Sequence, residues 1–241
     1  MSEPIGSMGW PGGAKAAISL TYDGGLPDHL FLAEPLLRVL GFPATFYLSA
    51  TFFLENPRAW AAMANQGHEI GNHSLFGVTG PNGELPNWTL EMVDTDLQMT
   101  ESLLSSNLPG PKERSFAYPG THPVTAEGSY ESVVEQYFSW ARTLHQGLNH
   151  AIFCNPRALR AVSSFDISGA GLVQKSEEAL DLGAWAIFVF EGIGAGKSSC
   201  GERDHEILLR HLAARGEDLY VAPVREVAQY VVEARERMTV R

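Results

Sequence analysis

Residues 18–25 read Ile-Ser-Leu-Thr-Tyr-Asp-Gly-Gly, an alternating run that ends in one acid, Asp23, followed at once by two glycines. That is the pattern of a rigid strand handing a carboxylate to a site at its carboxyl end. The glycines let the chain turn sharply and leave room for a ligand. The segment 67–74, Gly-His-Glu-Ile-Gly-Asn-His-Ser, repeats the device with His73. Strand-like and helix-like segments then alternate along the chain. Strands are expected over 16–22, 44–49, 69–73, 115–118, 138–143, 185–190 and 219–222. Helices are expected over 30–40, 57–65, 90–104, 130–137, 177–182, 205–214 and 224–237, with Thr89 or Asn87 capping the third. Repeated strand–helix units predict an α/β fold with a mostly parallel sheet covered by helices. Polar strand ends followed by Gly-rich loops predict a barrel whose site lies at the carboxyl-end rim.

Bulk properties narrow the function classes. A chain of 241 residues with 44% hydrophobic content suits one sizeable domain. A net charge of −11 disfavours nucleic acid and anionic membrane surfaces as partners. Cys154 and Cys200 are too few for a disulfide framework and read as thiols of a reducing compartment. Residues 1–7 carry neither a basic nor an apolar leader pattern, and no run approaches the roughly 18 apolar residues of a membrane span. The expectation is a cytoplasmic protein. The stretches 77–87 and 192–201 are rich in turn formers and read either as substrate-facing loops or as surface excursions. The run 192–198, Gly-Ile-Gly-Ala-Gly-Lys-Ser, follows an apolar strand but is not a phosphate loop: the pattern needs a glycine where Glu191 stands, and a carboxylate there repels phosphate.

The order of these segments resembles the polysaccharide deacetylase, or NodB-like, superfamily. The resemblance is carried by Ser-Leu-Thr-Tyr-Asp-Gly-Gly-Leu-Pro at 19–27, Ala-Thr-Phe-Tyr-Leu-Ser at 44–49 and Gly-His-Glu-Ile-Gly-Asn-His-Ser at 67–74. Phe-Ala-Tyr-Pro-Gly at 116–120, the strand entering 185–194, and the closing 219–230 add to it. It runs from about residue 14 to 232 and implies a distorted (β/α) barrel, usually seven-stranded. Residues 1–13 would then be an extension, 14–237 a single domain and 238–241 a tail.

In that family the first motif is typically Thr-Phe-Asp-Asp-Gly, a general base followed by a metal ligand. Here Asp23 matches the base and Gly24 stands in the ligand position. The second motif supplies two histidines; His73 matches one, and Gly77 replaces the other. The third usually brings an arginine that orients the base, where this chain has Ala117. The last usually ends in an acid histidine, where this chain has Glu191. A catalytic zinc wants about three protein ligands and a water, and glycine offers no side-chain donor.

Two chemistries stay open. In one, Asp23 and His73, with His122 or Glu191, hold a divalent ion such as zinc. In the other, Asp23 and Glu191 act as a carboxylate pair of split acidity, with His73 beside them. Tyr118, His122 and Arg142 are candidate substrate contacts. His145, His150, His205 and His211 read as surface residues. The family likeness implies a hydrolase of amide-type C–N bonds in a small-molecule or saccharide substrate. The alternative is a pseudoenzyme or binding module with the same cleft. A homodimer through an exposed barrel face is left open.

Overall fold

The computed structural model describes residues 9–75, 84–194, 196 and 198–239. In chain order the elements are β1 (Ala16–Gly24), a π-helical turn (His29–Ala33) running into α1 (Glu34–Leu40), β2 (Thr45–Leu48), α2 (Ala50–Glu55), α3 (Pro57–Asn65) and β3 (Glu69–Asn72). There follow α4 (Leu90–Asn107), β4 (Phe116–Ala117), the hairpin β5 (Val124–Thr125) and β6 (Gly128–Ser129), α5 (Glu131–Tyr137), β7 (Ala141–Gln146) and β8 (Leu159–Ser163). The chain ends with α6 (Gly169–Leu182), β9 (Trp185–Phe190), the short strands β10 (Gly192–Ile193) and β11 (Ser199–Cys200), α7 (Glu202–Arg215), β12 (Leu219–Val221) and α8 (Val224–Thr239).

Seven parallel strands close into a barrel in the order β1-β2-β3-β4-β7-β8-β9, with β9 returning to β1. β12 adds to the lower half of β1, at Ala16–Ile18, below the stretch Thr21–Gly24 that pairs with β2. The pleat of β1 sorts its side chains between two layers. Ile18, Leu20 and Tyr22 join the cluster under the outer helices, with Phe46, Phe188 and Phe190. Ala17 faces inward with Tyr47, Ala117, Leu159, Trp185 and Ile187.

The floor of the barrel is α8. Val224, Val227, Ala228 and Val231 recur at helical spacing and pack into the inner cluster. The first two backbone N–H groups of this helix are satisfied by barrel side chains: Val224 N donates to Thr45 Oγ1 and Arg225 N to Glu69 Oε2, both at 2.9 Å. Trp10 is buried in the same inner cluster, and its Nε1 donates to Gly183 O, so the segment before β1 packs with the barrel.

Several elements differ from the sequence reading for identifiable reasons. The helix expected over 30–40 is split, because Pro35 has no N–H to give and Glu34 N reaches back to His29 O, five residues away. α6 begins at Gly169 rather than 177. Its glycines weaken the helix signal but are needed for packing: a Cβ on Gly169 would lie 2.9 Å from Ile207 and 3.0 Å from the Asp204 backbone on α7. His205, read as a surface residue, is only 1% exposed. It shares the apolar face of α7 with Leu208, Leu209 and Leu212, at spacings of three, four and seven. His145 and His150 are exposed, and His211 is bonded to Glu177. Both cysteines are free thiols.

Candidate active site

Asp23 faces the barrel interior near the carboxyl end of β1 and is 6% exposed. Its partner is Arg142 on β7, fully buried, whose Nη2 lies 2.5 Å from both carboxylate oxygens. The guanidinium in turn lies over the ring of Tyr47, 5.1 Å from its centroid. Below the ring a polar column continues. The Ser115 hydroxyl donates to Glu69 Oε1 at 2.8 Å, so the Tyr47 hydroxyl, 2.8 Å from Ser115 Oγ, donates to Ser115. Glu69 also accepts from Ser115 N, Thr45 Oγ1 and Arg225 N. The Tyr47 ring occupies the space where any Cβ on its register partner Gly71 would stand, 2.5 Å away.

Arg142 pairs in register with Ala117 across β4 and β7. The family resemblance places the base-orienting arginine at Ala117. In this chain the arginine that holds the base enters from the neighbouring strand, across a position that carries only a methyl group. Read from sequence as a substrate contact, Arg142 is instead committed to Asp23.

His73 follows β3 and joins this group. Its Nδ1 lies 2.9 Å from Ala117 O, and a carbonyl can only accept, so Nδ1 carries the proton and Nε2 keeps its lone pair. Burial pushes its pKa below the usual histidine value, with Asp23 opposing the shift and Arg142 adding to it. The turn after His73 is pinned. Ser74 adopts a φ of 66° with its N–H bonded to Asn72 Oδ1, and Leu75 N donates to both oxygens of Asp96 at 2.9 and 3.0 Å. Burial raises Asp96 to about 6.

Glu191 leaves the carboxyl end of β9 at the solvent-facing rim. Desolvation raises its pKa; a bond from Ser198 and the Arg142 charge oppose the rise, and the Asp23 charge adds to it. Its backbone carbonyl accepts from His29 Nε2 at 3.2 Å. Burial holds His29 neutral, with a pKa lowered to about 4. Asp23, His73, Glu191 and Arg142 therefore share one electrostatic neighbourhood at the rim. The inner column of Tyr47, Gly71, Ser115 and Glu69 was missed from sequence. The signal available was the period-two alternation that puts Thr45 and Tyr47 on the same face as Asp23.

Two expected contacts lie elsewhere. Tyr118 points outward, packed edge-on against Phe116 and beside Tyr130 in the layer under α4 and α5. The β pleat explains this: Ala117 takes the inward position, so its neighbours face out. His122 is exposed and bonds its neighbour Thr121.

The donor set does not fit the family's metal. Among the described residues no three His, Cys, Asp or Glu side chains are grouped to hold an ion. Gly24, in the ligand position, has a φ of +95°, a conformation that a side-chain-bearing residue rarely adopts. Gly77 lies outside the described residues, but the stretch 76–83 contains no His, Cys, Asp or Glu. Asp23 is already held by Arg142.

The polysaccharide deacetylase family model matches residues 12–131. A comparison with curated proteins finds no match. Among solved structures, a candidate polysaccharide deacetylase from Mycobacterium smegmatis is 14% identical, with 95% of this chain and 94% of that one covered at a TM-score of 0.64. A family 4 acetyl xylan esterase from Clostridium thermocellum, in complex with a cobalt ion, is 17% identical over 89% of this chain and 91% of its own, with a TM-score of 0.58. A CE4-family pseudoenzyme from Bacillus anthracis is 16% identical over 88% of this chain and 65% of its own, with a TM-score of 0.57. No helix among the described residues is long and apolar enough to cross a membrane. From the family model, the closed seven-stranded barrel and the placement of Asp23 and His73, the chain belongs to the polysaccharide deacetylase superfamily.

Proposed function

We propose that this protein is a hydrolase of amide-type C–N bonds in a small or soluble saccharide substrate, working through side-chain acid–base chemistry at the barrel rim. The observation that carries this reading is the state of His73: its Nδ1 proton is tied to Ala117 O, which leaves the Nε2 lone pair beside the Asp23–Arg142 pair. In the reaction, His73 Nε2 takes a proton from water as the water oxygen bonds to the amide carbon. Asp23, held by Arg142, stabilises the imidazolium that forms. Glu191, with its acidity weakened by desolvation, gives its proton to the leaving nitrogen as the C–N bond breaks, and the products are a carboxylic acid and an amine. No step passes through a metal. A soluble saccharide substrate fits the acidic chain, and neither nucleic acid nor a membrane is needed.

The second reading is a saccharide-binding pseudoenzyme. It is favoured by the same pairing seen from the other side: both oxygens of Asp23 are occupied by Arg142, and no three-ligand set is present among the described residues. Chelator-treated protein offered a panel of N-acetylated mono- and oligosaccharides separates the two. The hydrolase reading expects acetate release that survives chelation and is lost in Asp23→Asn and His73→Asn. Saturable binding with no acetate release from any member of the panel would establish the pseudoenzyme instead.

A further inference from the structure

The connection from β7 to β8 folds back and, with residues of both strands, forms a groove of about 430 Å³ that none of Asp23, His73, Arg142 or Glu191 lines. It is lined by His145, Asn149, His150, Phe153, Cys154 and Arg160 together with Leu148, Asn155 and Ala158. The volume lies in the range of small-molecule sites. None of the lining residues is acidic, although acids outnumber bases 28 to 17 in the chain. Arg160 makes no ion pair with a carboxylate among the described residues. Its Nη1 donates to Gln146 O at 3.1 Å, which leaves the other guanidinium protons unassigned. A second guanidinium, Arg235 on α8, backs the groove wall, bonded to Ala151 O, Cys154 O and the Cys154 sulfur.

The groove is rigidly built. Asn149 is buried, and its side chain imitates a strand partner for Arg160: Oδ1 accepts from Arg160 N at 2.9 Å and Nδ2 donates to Arg160 O at 2.8 Å. Gly147 adopts a φ of +144° and has no Cβ, and the Arg160 side chain lies across it; a Cβ there would stand 3.1 Å from Cδ and 3.3 Å from Nη1. His150 Nδ1 accepts from Ile152 N at 3.2 Å, so its proton is on Nε2. Phe153 is 80% exposed, with its ring 4.9 Å from that of His150. An uncompensated guanidinium and an imidazole N–H are donors for an oxyanion, and an exposed phenyl ring is a plate for the body that carries it.

We propose that this groove is a second binding site, for a small ring compound bearing a phosphate or carboxylate, with Arg160 and His150 on the anion and Phe153 on the ring. Calorimetric titration with phenyl phosphate, inorganic phosphate and phenol tests it. Phenyl phosphate is expected to bind wild-type protein most tightly, inorganic phosphate more weakly, and phenol not measurably. Arg160→Gln should weaken phenyl phosphate about tenfold or more, as loss of charge-assisted bonds does. His150→Gln, at an exposed position, should weaken it with no effect on folding, Phe153→Ala should erase the advantage over inorganic phosphate, and Glu191→Gln, at the exposed rim, should leave binding unchanged. The proposal is overturned if phenyl phosphate fails to bind up to about 10 mM. It is equally overturned if binding survives both Arg160→Gln and His150→Gln, or disappears in the rim variant Glu191→Gln.

Discussion

A single nitrogen, Nη2 of Arg142, meets both oxygens of Asp23 inside the barrel, so each charge is the other's principal compensation. Removing one partner strands the other in a buried setting. Arg142→Met is therefore expected to cost about 3–5 kcal/mol of stability, and Arg142→Met combined with Asp23→Asn to recover a large part of that loss. Urea unfolding of the two single variants and the double variant measures the coupling. Purely additive losses would contradict the arrangement described.

Gly71 and Tyr47 make a steric prediction. Gly71→Ala puts a methyl 2.5 Å from the Tyr47 ring, which also meets the Ser115 carbonyl at 2.9 Å on the other side. The expected loss is about 1–3 kcal/mol, and Tyr47→Leu in the same chain should relieve part of it. Tyr47→Phe keeps the ring beneath Arg142 but leaves Ser115 Oγ without the Tyr47 proton; about 1 kcal/mol is expected. Thermal melts of the three variants are sufficient.

Stability should fall in mild acid. Burial lowers the pKa of His205 to about 3 and of His29 to about 4, and lowers His68 and His73 as well. Each is neutral in the folded state but takes a proton when unfolded near pH 6.5. The stability that each contributes is present above pH 6.5 and is lost as pH falls toward its folded pKa, at up to about 1.4 kcal/mol per pH unit per group. Asp96 acts in the opposite sense. Raised to about 6, it contributes stability that is full below its unfolded value and lost as pH rises through 6. Glu101 and Glu191, also raised by desolvation, act in the same sense as Asp96, but the large shifts of His205 and His29, joined by those of His68 and His73, outweigh them, so the net change from pH 6.5 to 4 is a loss. His205→Gln should shallow that slope in denaturant titrations taken at successive pH values.

Under the hydrolase reading, activity has two limbs with assignable signs. His73 must be neutral, so the rate falls at low pH, below its lowered pKa. Glu191 must be protonated, so the rate falls as pH rises above its raised pKa. The optimum should lie on the acid side of neutrality. Glu191→Gln should remove the alkaline limb and lower kcat by about 10²–10⁴, while His73→Asn removes the acid limb. An alkaline limb that persists in Glu191→Gln would take the acid role away from Glu191.

The barrel and its rim were legible in the sequence because they are written in local patterns. Trp185–Phe190 and Pro57–Asn65 carry unbroken strand and helix periodicities and match the structure at both ends. Asp23 and His73 were legible as strand-end residues beside glycines. The Asp23–Arg142 pair was not, because it joins strands separated by over a hundred residues, and only the β4–β7 register, with Arg142 opposite Ala117, brings the arginine to the acid. β8 and α2 were missed because Leu159–Ser163 and Ala50–Glu55 lack strong caps or long periodic runs. His205 could have been placed by the spacing of its leucines. Tyr118 was misjudged because one residue of pleat decides between rim and outer layer.

β1 is bonded to β2, β9 and β12, and two of those three partners come from the last quarter of the chain. During synthesis the first strand must therefore wait, with its lower edge unpaired, until residues 185–221 have left the ribosome, and α8 must follow before the inner cluster is shut off from water. The half that carries the family signature is thus not a unit that can fold by itself. A chain stopped before residue 219 would keep Asp23 and His73 in its sequence yet expose the edge of the strand that presents Asp23.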